Sequence, residues 1–304
     1  MTELSFDIII PVYHPGKEFQ ELLLMLEKQT VSPGKIIIME TLEEGETLKE
    51  FPGCECYPVR KEDFDHAATR RDGIMHSDSE SFILMTDDAL PADEYMCENL
   101  LTALYKDDKV ATAYGRQLPK SDCFEAEKFT RSFNYPDRSF TKGIEDLPWL
   151  GIKTYFASNV CCAYRRDIWD RVGGFTERAV FNEDMIYSHT VMEAGYRVAY
   201  EASARCIHSH NYGIGEQFRR NFDLGASQKM HPEVFSGIRS EGEGLRLVAG
   251  TAAHLIKTGK WYQIPKLFLV SGAKYLGYRL GRRFDTLSEA TVRKCALNKN
   301  FFSK

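Results

Sequence analysis

Phe6-Asp7-Ile8-Ile9-Ile10-Pro11-Val12-Tyr13 is the stretch on which the fold turns. Its apolar residues run on without polar alternation and stop at Pro11. A run of this kind fits a strand covered on both faces, as in a parallel sheet. Working outward, residues 15–30 have helical spacing, with Phe19, Leu22, Leu23 and Leu26 on one face and Pro15-Gly16 at the start. Further strands are expected over 35–39, more weakly over 55–59, then over 81–86 and 110–114. Helices are expected over 63–76 and 93–105. Such β-α-β-α-β alternation predicts a parallel, doubly wound sheet. Residues 121–149 are polar and aromatic-rich, with Pro136, Gly143 and Pro148. They read as an irregular insertion with one helix, a candidate substrate loop. A strand over 157–164, a helix over 184–194 and a strand over 197–200 follow. From Tyr212 onward the pattern is wholly helical.

The 304 residues carry a net charge of −5, which offers no basis for nucleic-acid binding. The charge is lopsided: Gly244 to Lys304 holds twelve Lys/Arg and two Asp/Glu, a net +10 against −15 for the rest. The chain therefore divides into a body, 1–243, and a basic helical tail, 244–304. The eight cysteines are scattered, with no CxxC pair, so free thiols are expected rather than a zinc site. No apolar signal core follows Met1, so no secretory peptide is expected. No segment has the roughly 18 to 20 apolar residues that a bilayer span needs. The nearest, 264–278, is interrupted by Lys266 and Lys274.

Open parallel sheets bind ligands beyond the carboxyl ends of their strands. Those positions hold Pro11-Val12-Tyr13-His14, Glu40-Thr41 and Thr86-Asp87-Asp88. There is neither a GxGxxG after the first strand nor a GxxxxGK[ST]. Paired carboxylates at a strand end suit Mg2+ or Mn2+, which completes its shell with phosphate oxygens and water. The alternative is that Asp87 and Asp88 cap the next turn. In Phe64-Asp65-His66 through Arg70, the arginine falls one helical turn after His66. It could pair with a diphosphate or orient a strand-end carboxylate; the alternative is a capped helix with solvated charges. In Asn182-Glu183-Asp184 the asparagine can cap a helix, or a carboxylate can act as a general base. His208 and His210, at a strand end, are expected to face opposite ways, with at most one joining a metal site.

In this order the motifs resemble family two glycosyltransferases of the GT-A fold. Ile8 through Tyr13 is similar to the opening strand and nucleotide-binding turn. Thr86-Asp87-Asp88 sits at the Asp-x-Asp metal motif, and Glu183-Asp184, preceded by Val172-Gly173-Gly174-Phe175, at the acidic pair bearing the base. Several segments look like the bacterial rhamnosyltransferase branch. They are Phe64 through Arg70, Thr86 through Pro91, Ser158-Asn159 with Ala163-Tyr164-Arg165-Arg166, His208 through Tyr212 with Gln217-Phe218-Arg219-Arg220, and Ala273 through Gly281.

The resemblance implies an α/β, Rossmann-like mixed sheet with a C-terminal helical extension. It implies a metal, Mg2+ or Mn2+, on Asp88 with His210, and Asp184 as the catalytic base. It implies Pro11, Tyr13, Glu40, Asp65, Arg70 and Asp87 at the nucleotide-sugar donor, with Glu40 reading the base. Ser158, Asn159, Glu183 and Arg219 would line the sugar and acceptor pocket. The implied reaction is an inverting transfer, with L-rhamnose from dTDP-β-L-rhamnose as the first choice of donor. A glycan or polyprenyl-diphosphate-linked glycan would be the acceptor. Departures are Thr86 for the first acid, Glu40 for the commoner Asp, and Asp65 and Asp72 in place of amides. Gln217-Phe218-Arg219-Arg220 lacks the tryptophan of processive synthases.

Rival readings are a transferase using a UDP-linked hexose, a sugar-nucleotide nucleotidyltransferase and a non-catalytic sugar-binding module. The tail, with Leu245, Leu247, Val248, Ala252 and Leu255 in a stripe and Trp261, Tyr262, Leu267, Phe268 and Tyr275 as aromatic and apolar anchors, suits an in-plane helix on an anionic leaflet. That reading places the protein in the cytoplasm, peripheral on the inner face of the cell membrane. The other reading is a helical cap on the body or on a second subunit in a homodimer.

Overall fold

A computed structural model of the chain describes residues 5–238 and 241–303. The first four residues, read above for a leader, and Lys304 of the tail lie outside that range. The strands are β1 (Phe6–Tyr13), β2 (Ile36–Leu42), β3 (Glu55–Arg60), β4 (Ser81–Met85), β5 (Leu90–Pro91), β6 (Val110–Leu118), β7 (Phe140–Lys142), β8 (Cys161–Arg165) and β9 (Arg197–Ile207). They form one sheet in the order β3-β2-β1-β4-β8-β6-β9-β5, with β7 also paired to β9.

Strand β1 explains its own sequence. Ile8 and Ile10 face one apolar layer with Phe19, Leu22 and Leu26, while Ile9 faces the other with Met39, Phe82 and Leu84. Both faces are covered, so the run needs no alternation. Asp7 is buried, and its Oδ1 accepts the Lys35 N–H at 2.8 Å. The strand does not end at Pro11 but continues to Tyr13. The Ile8 N–H bonds to β2, at Lys35, so the nitrogens of odd-numbered residues face β4. Pairing with β4 stops at Ile9, so the missing N–H of Pro11 leaves no ladder bond unmade.

The sheet is mixed, as the resemblance implied: β8 runs antiparallel to both neighbours, β4 and β6. The cause lies in the connection. The insertion leaves the carboxyl end of β6, runs back along the start of β9 as β7, and returns to that carboxyl end, so β8 enters opposite Met85 and runs backward. The insertion is also more ordered than expected, holding α4 (Glu125–Asn134), β7 and a short α5 (Leu147–Leu150). Helices α1 (Lys17–Leu26), α2 (His66–Met75), α3 (Met96–Leu104), α6 (Arg166–Val172) and α7 (Glu183–Glu193) cover the sheet. Strand β9 runs seven residues beyond the expected Tyr200 and shifts register against β6 between Gly115 and Arg116.

The remainder is helical, as expected: α8 (Ile214–Met230), α9 (Pro232–Phe235), α10 (Glu241–Lys257), α11 (Ile264–Gly281) and α12 (Glu289–Cys295). Helix α11 lies directly along α8. A Cβ on Gly277 would come 2.2 Å from the Phe218 carbonyl oxygen, and one on Gly281 2.0 Å from that of Phe222. Gly225 of α8 makes the reciprocal approach, 2.3 Å from the Tyr278 carbonyl oxygen. Backbones this close tolerate only glycine. Helix α10 packs on α4, with Gly250 against the Phe129 ring. The basic tail is thus held on the body.

Candidate active site

The turn after β4 places Asp88 between two histidines. Its carboxylate oxygens lie 3.4 Å from His208 Nε2 and 3.3 Å from His210 Nε2. One ligand atom from each of the three falls within 4.8 Å of the others, as a bound cation would require. Both histidines therefore join the cluster, which corrects the expectation that at most one would. Residues two apart on an extended chain point to the same side, and the chain is still extended there: the His208 N–H bonds to the Leu118 carbonyl at the end of β6.

The protonation pattern favours a cation at this spot. Arg131 donates to Gln117 Oε1, which fixes that amide's orientation. The His208 Nδ1 lies 3.0 Å from the same oxygen and must be the donor. Burial lowers the pKa of His208, and that of His210 to about 4, against the pull of Asp88, so both rings are neutral. The His208 Nε2 lone pair then points at a carboxylate oxygen. Two acceptors facing each other are stabilised by a divalent cation between them. Burial opposes the Asp88 charge, but His208 and His210 in their protonated forms, and Lys120, pull its carboxyl well below the ordinary range. Asp87 differs: burial, with Asp88 alongside, raises it to about 6.

A second cluster forms at the start of α7. Glu183 is buried, 3.2 Å from Arg70 Nη1, and accepts from Asn159 Nδ2 at 2.9 Å. Burial works against its charge, yet Arg70 and His66 outweigh it and lower its pKa. Asp184 is half-buried, and its oxygens accept from the Met185 N–H at 2.8 Å and the Asn159 N–H at 3.3 Å. Burial, reinforced by the Glu183 charge, raises its pKa to about 7. The reading of Asn182 as a helix cap is not realised. Asn182 sits in the left-handed region at φ 66°, its side chain makes no capping bond, and its Nδ2 is buried without a partner. Such strain is stored where the surrounding structure holds a particular geometry.

Gln117, which the sequence reading missed, joins the two clusters. It is buried, and its Nε2 donates to Ser158 Oγ at 2.9 Å and to the Tyr135 hydroxyl at 2.6 Å. Ser158 precedes the Asn159 that holds Glu183 and Asp184. One amide thus reaches from His208 to the edge of the acid pair.

Other expected residues are distributed differently. Asp65 caps α2, its Oδ1 accepting from Ala67 and Ala68 at 2.8 and 2.9 Å, and also from Ala179 at 3.3 Å. Arg70 pairs with Glu183, a carboxylate at the head of α7 and not the strand-end one expected. These bonds give Asp65 and Arg70 internal partners, while Asp65 Oδ2 and Arg70 Nε are buried without one. Pro11 is half-buried near the end of β1, and Glu40 is buried on β2, where its Oε2 accepts the Lys49 N–H at 2.8 Å. Tyr13 stands at the exposed end of β1; its hydroxyl bonds Glu43 and receives Lys61 Nζ at 2.5 Å. On α8, Arg219 is exposed, while Arg220 stacks over Phe181 at 4.7 Å and Tyr212 at 5.5 Å. Tyr212 in turn stacks on His210 with ring centres 4.7 Å apart. Arg220 thus reaches the Asp88 cluster through the Tyr212 ring.

This arrangement has counterparts of known name. The family model for glycosyl transferase family 2 matches residues 7–173. The O-antigen chain rhamnosyltransferase RfbN of Salmonella typhimurium (strain LT2) is 34% identical, covering 99% of this chain and 96% of the relative. The O-antigen chain rhamnosyltransferase WbaN of Salmonella anatum is 33% identical over 98% and 96%. Among solved structures, the mannosyltransferase PcManGT from Pyrobaculum calidifontis, in complex with GDP-Man and Mn2+, aligns with a TM-score of 0.55 and 16% identity over 97% of this chain and 86% of that one. That likeness bears on the fold alone and agrees with a GT-A sheet. The chain belongs to glycosyl transferase family 2 and is a glycosyltransferase.

Proposed function

We propose that the enzyme transfers a sugar with inversion from a nucleotide donor, with dTDP-β-L-rhamnose as the first choice. The acceptor is a glycan or lipid-linked glycan of cell-surface polysaccharide. The observation that carries this reading is the division of labour in the acid pair. Glu183 is neutralised by Arg70, while Asp184 is left without a cation within 4 Å among the described residues. A carboxyl poised near 7 is suited to accept a proton at neutral pH. In this reading Asp184 takes the proton of an acceptor hydroxyl. The oxygen attacks the anomeric carbon from the face opposite the nucleoside diphosphate, and that bond breaks as the new one forms. A single displacement inverts the centre, giving an α-L-rhamnoside.

Asp88, His208 and His210 would hold Mg2+ or Mn2+. When bound, such an ion stabilises negative charge on the departing diphosphate. Tyr13, Glu40 and Asp87, at the carboxyl ends of β1, β2 and β4, would contact the donor. Ser158 and Asn159 would line the sugar pocket. The rhamnosyl choice rests on the names of the two Salmonella relatives.

The reading places the enzyme on the inner membrane face. Among the described residues no helix is long and apolar enough to cross a membrane. Leu245 of α10, Phe268 and Leu269 of α11, and Trp261 and Tyr262 between the two helices are exposed, as are Arg246 and Lys266. Apolar anchors amid bases suit an anionic leaflet.

The test is incubation with dTDP-β-L-rhamnose, Mn2+ and a lipid-linked glycan acceptor. Release of dTDP together with a glycosylated product supports the reading. Release with a UDP-hexose instead reassigns the donor, and release of dTDP without sugar transfer is hydrolysis and contradicts it.

A further inference from the structure

We propose that the tail completes the active site. Lys274 of α11 and Arg220 of α8, with Arg131 of α4 beside them, form a subsite for a diphosphate. This rests on the proposed transferase reading and goes beyond its donor and metal contacts.

Helix geometry places the three cations together. Gly277 packs at Phe218 and Gly281 at Phe222, so α11 and α8 run in the same direction. Lys274, one turn before Gly277, is therefore level with the first turn of α8, which begins at Ile214. Side chains on a helix lean toward its N-terminus. Arg220 accordingly reaches back over Tyr212, just ahead of α8. Arg131 arrives from the insertion and donates to Gln117, one bond from His208. Arg131 and Arg220 both act electrostatically on His208, His210 and Lys274, which ties the group to the Asp88 cluster.

The positive charge there is not balanced. Glu127 pairs with Arg131 at 2.8 Å and is the acid that acts on Lys274. Among the described residues, neither Arg220 nor Lys274 has a carboxylate within 4 Å. Lys274 is half-buried, and burial lowers its pKa. Keeping an unpaired lysine and arginine partly desolvated side by side is costly unless an anion binds there. A diphosphate offers acceptors to both at once. Two sources share this chemistry: the nucleoside diphosphate of the donor and the diphosphate of a prenyl-linked acceptor.

Calorimetric titration of the full chain separates them. dTDP with Mn2+ and farnesyl diphosphate serve as probes, with farnesol as the uncharged control. Lys274→Gln and Arg220→Gln are expected to weaken at least one diphosphate about tenfold, the loss of one charge-assisted bond. Lys274→Arg should restore most of it, and Lys294→Gln on α12 should change nothing. Weakened dTDP assigns the subsite to the donor, and weakened farnesyl diphosphate to the acceptor. Thermal unfolding verifies that each variant folds, with Lys274→Met as the second choice. Binding of both probes to Lys274→Gln within twofold of wild type overturns the proposal, as does a wild type that binds neither. Wild-type transfer of sugar with an unaffected Lys274→Gln would sink this inference and leave the transferase reading standing.

Discussion

Arg70 Nη1 lies 3.2 Å from the Glu183 carboxylate, and both side chains are almost wholly buried. This contact settles which acid at the head of α7 stays charged and held, and which is left to titrate. Removing Arg70 would strand a buried carboxylate, a change that typically costs 3–5 kcal/mol, roughly. Arg70→Leu is therefore expected to lower stability by about that amount, measured by urea unfolding. The double variant Arg70→Leu/Glu183→Leu should recover a large part of it. An Arg70→Leu protein as stable as wild type would show the pair to be dispensable.

Asp184 sets a pH dependence of determinate sign. Its carboxyl is raised to about 7, first by burial and then by the Glu183 charge. Only the deprotonated form can accept a proton, so kcat should rise with pH up to about 7 and then level off. Stability moves the other way. The folded state keeps a proton that the unfolded chain releases from about pH 4 upward, so this group's contribution falls between about 4 and 7. Asp184→Asn should abolish both dependences. A kcat already flat from pH 5 to 8 in the wild type would disconnect Asp184 from the rate.

The imidazole pair bears on metal preference. Two nitrogens and a carboxylate bind Mn2+ more tightly than Mg2+ by ligand type. Chelation should remove activity, and Mn2+ should restore it at lower concentration than Mg2+. His208→Ala and His210→Ala are each expected to weaken Mn2+ about tenfold or more in the presence of dTDP, read by titration calorimetry. Gln117→Leu, which frees the His208 ring, should give a smaller loss, about tenfold at the lower end of the range for such supporting groups. Equal Mn2+ affinity in wild type and both histidine variants would remove them from the metal site.

The tail is tested by substitution, because α11 is packed on α8 and its deletion would uncover that face. Phe268→Ser/Leu269→Ser changes exposed residues only. Sedimentation with anionic vesicles should drop several-fold, while unfolding stays near wild type. Unchanged sedimentation, or a shift from dimer to monomer on light scattering, would assign this face to another copy of the chain.

Much of this site can be read along the chain, and the exceptions share a cause. Strand-end acids are legible because a β-α-β succession brings every strand's carboxyl end to one edge, which collects Tyr13, Glu40 and Asp88. The direction of β8 was not legible, since it follows from where the insertion returns the chain and not from the residues of β8. The joining of His208 with His210 is legible from the strand period of two, which puts residues i and i+2 on one face; the expectation that they face apart misapplied that period. Gln117 gave no signal at all, because a buried amide acquires its role only from four partners distant in sequence. Ala273 through Gly281 was visible as a motif, but only the packing of Gly277 on Phe218 gives it a physical reason.

The most direct test is the fate of Asp184→Asn with dTDP-β-L-rhamnose and a lipid-linked glycan acceptor. The variant should bind dTDP with Mn2+ as the wild type does and lose transfer by at least about a hundredfold, the usual contribution of a general base. The wild-type product should carry an inverted, α-configured rhamnoside by NMR. Wild-type turnover in Asp184→Asn, or retention of configuration in the product, would contradict single displacement with Asp184 as its base.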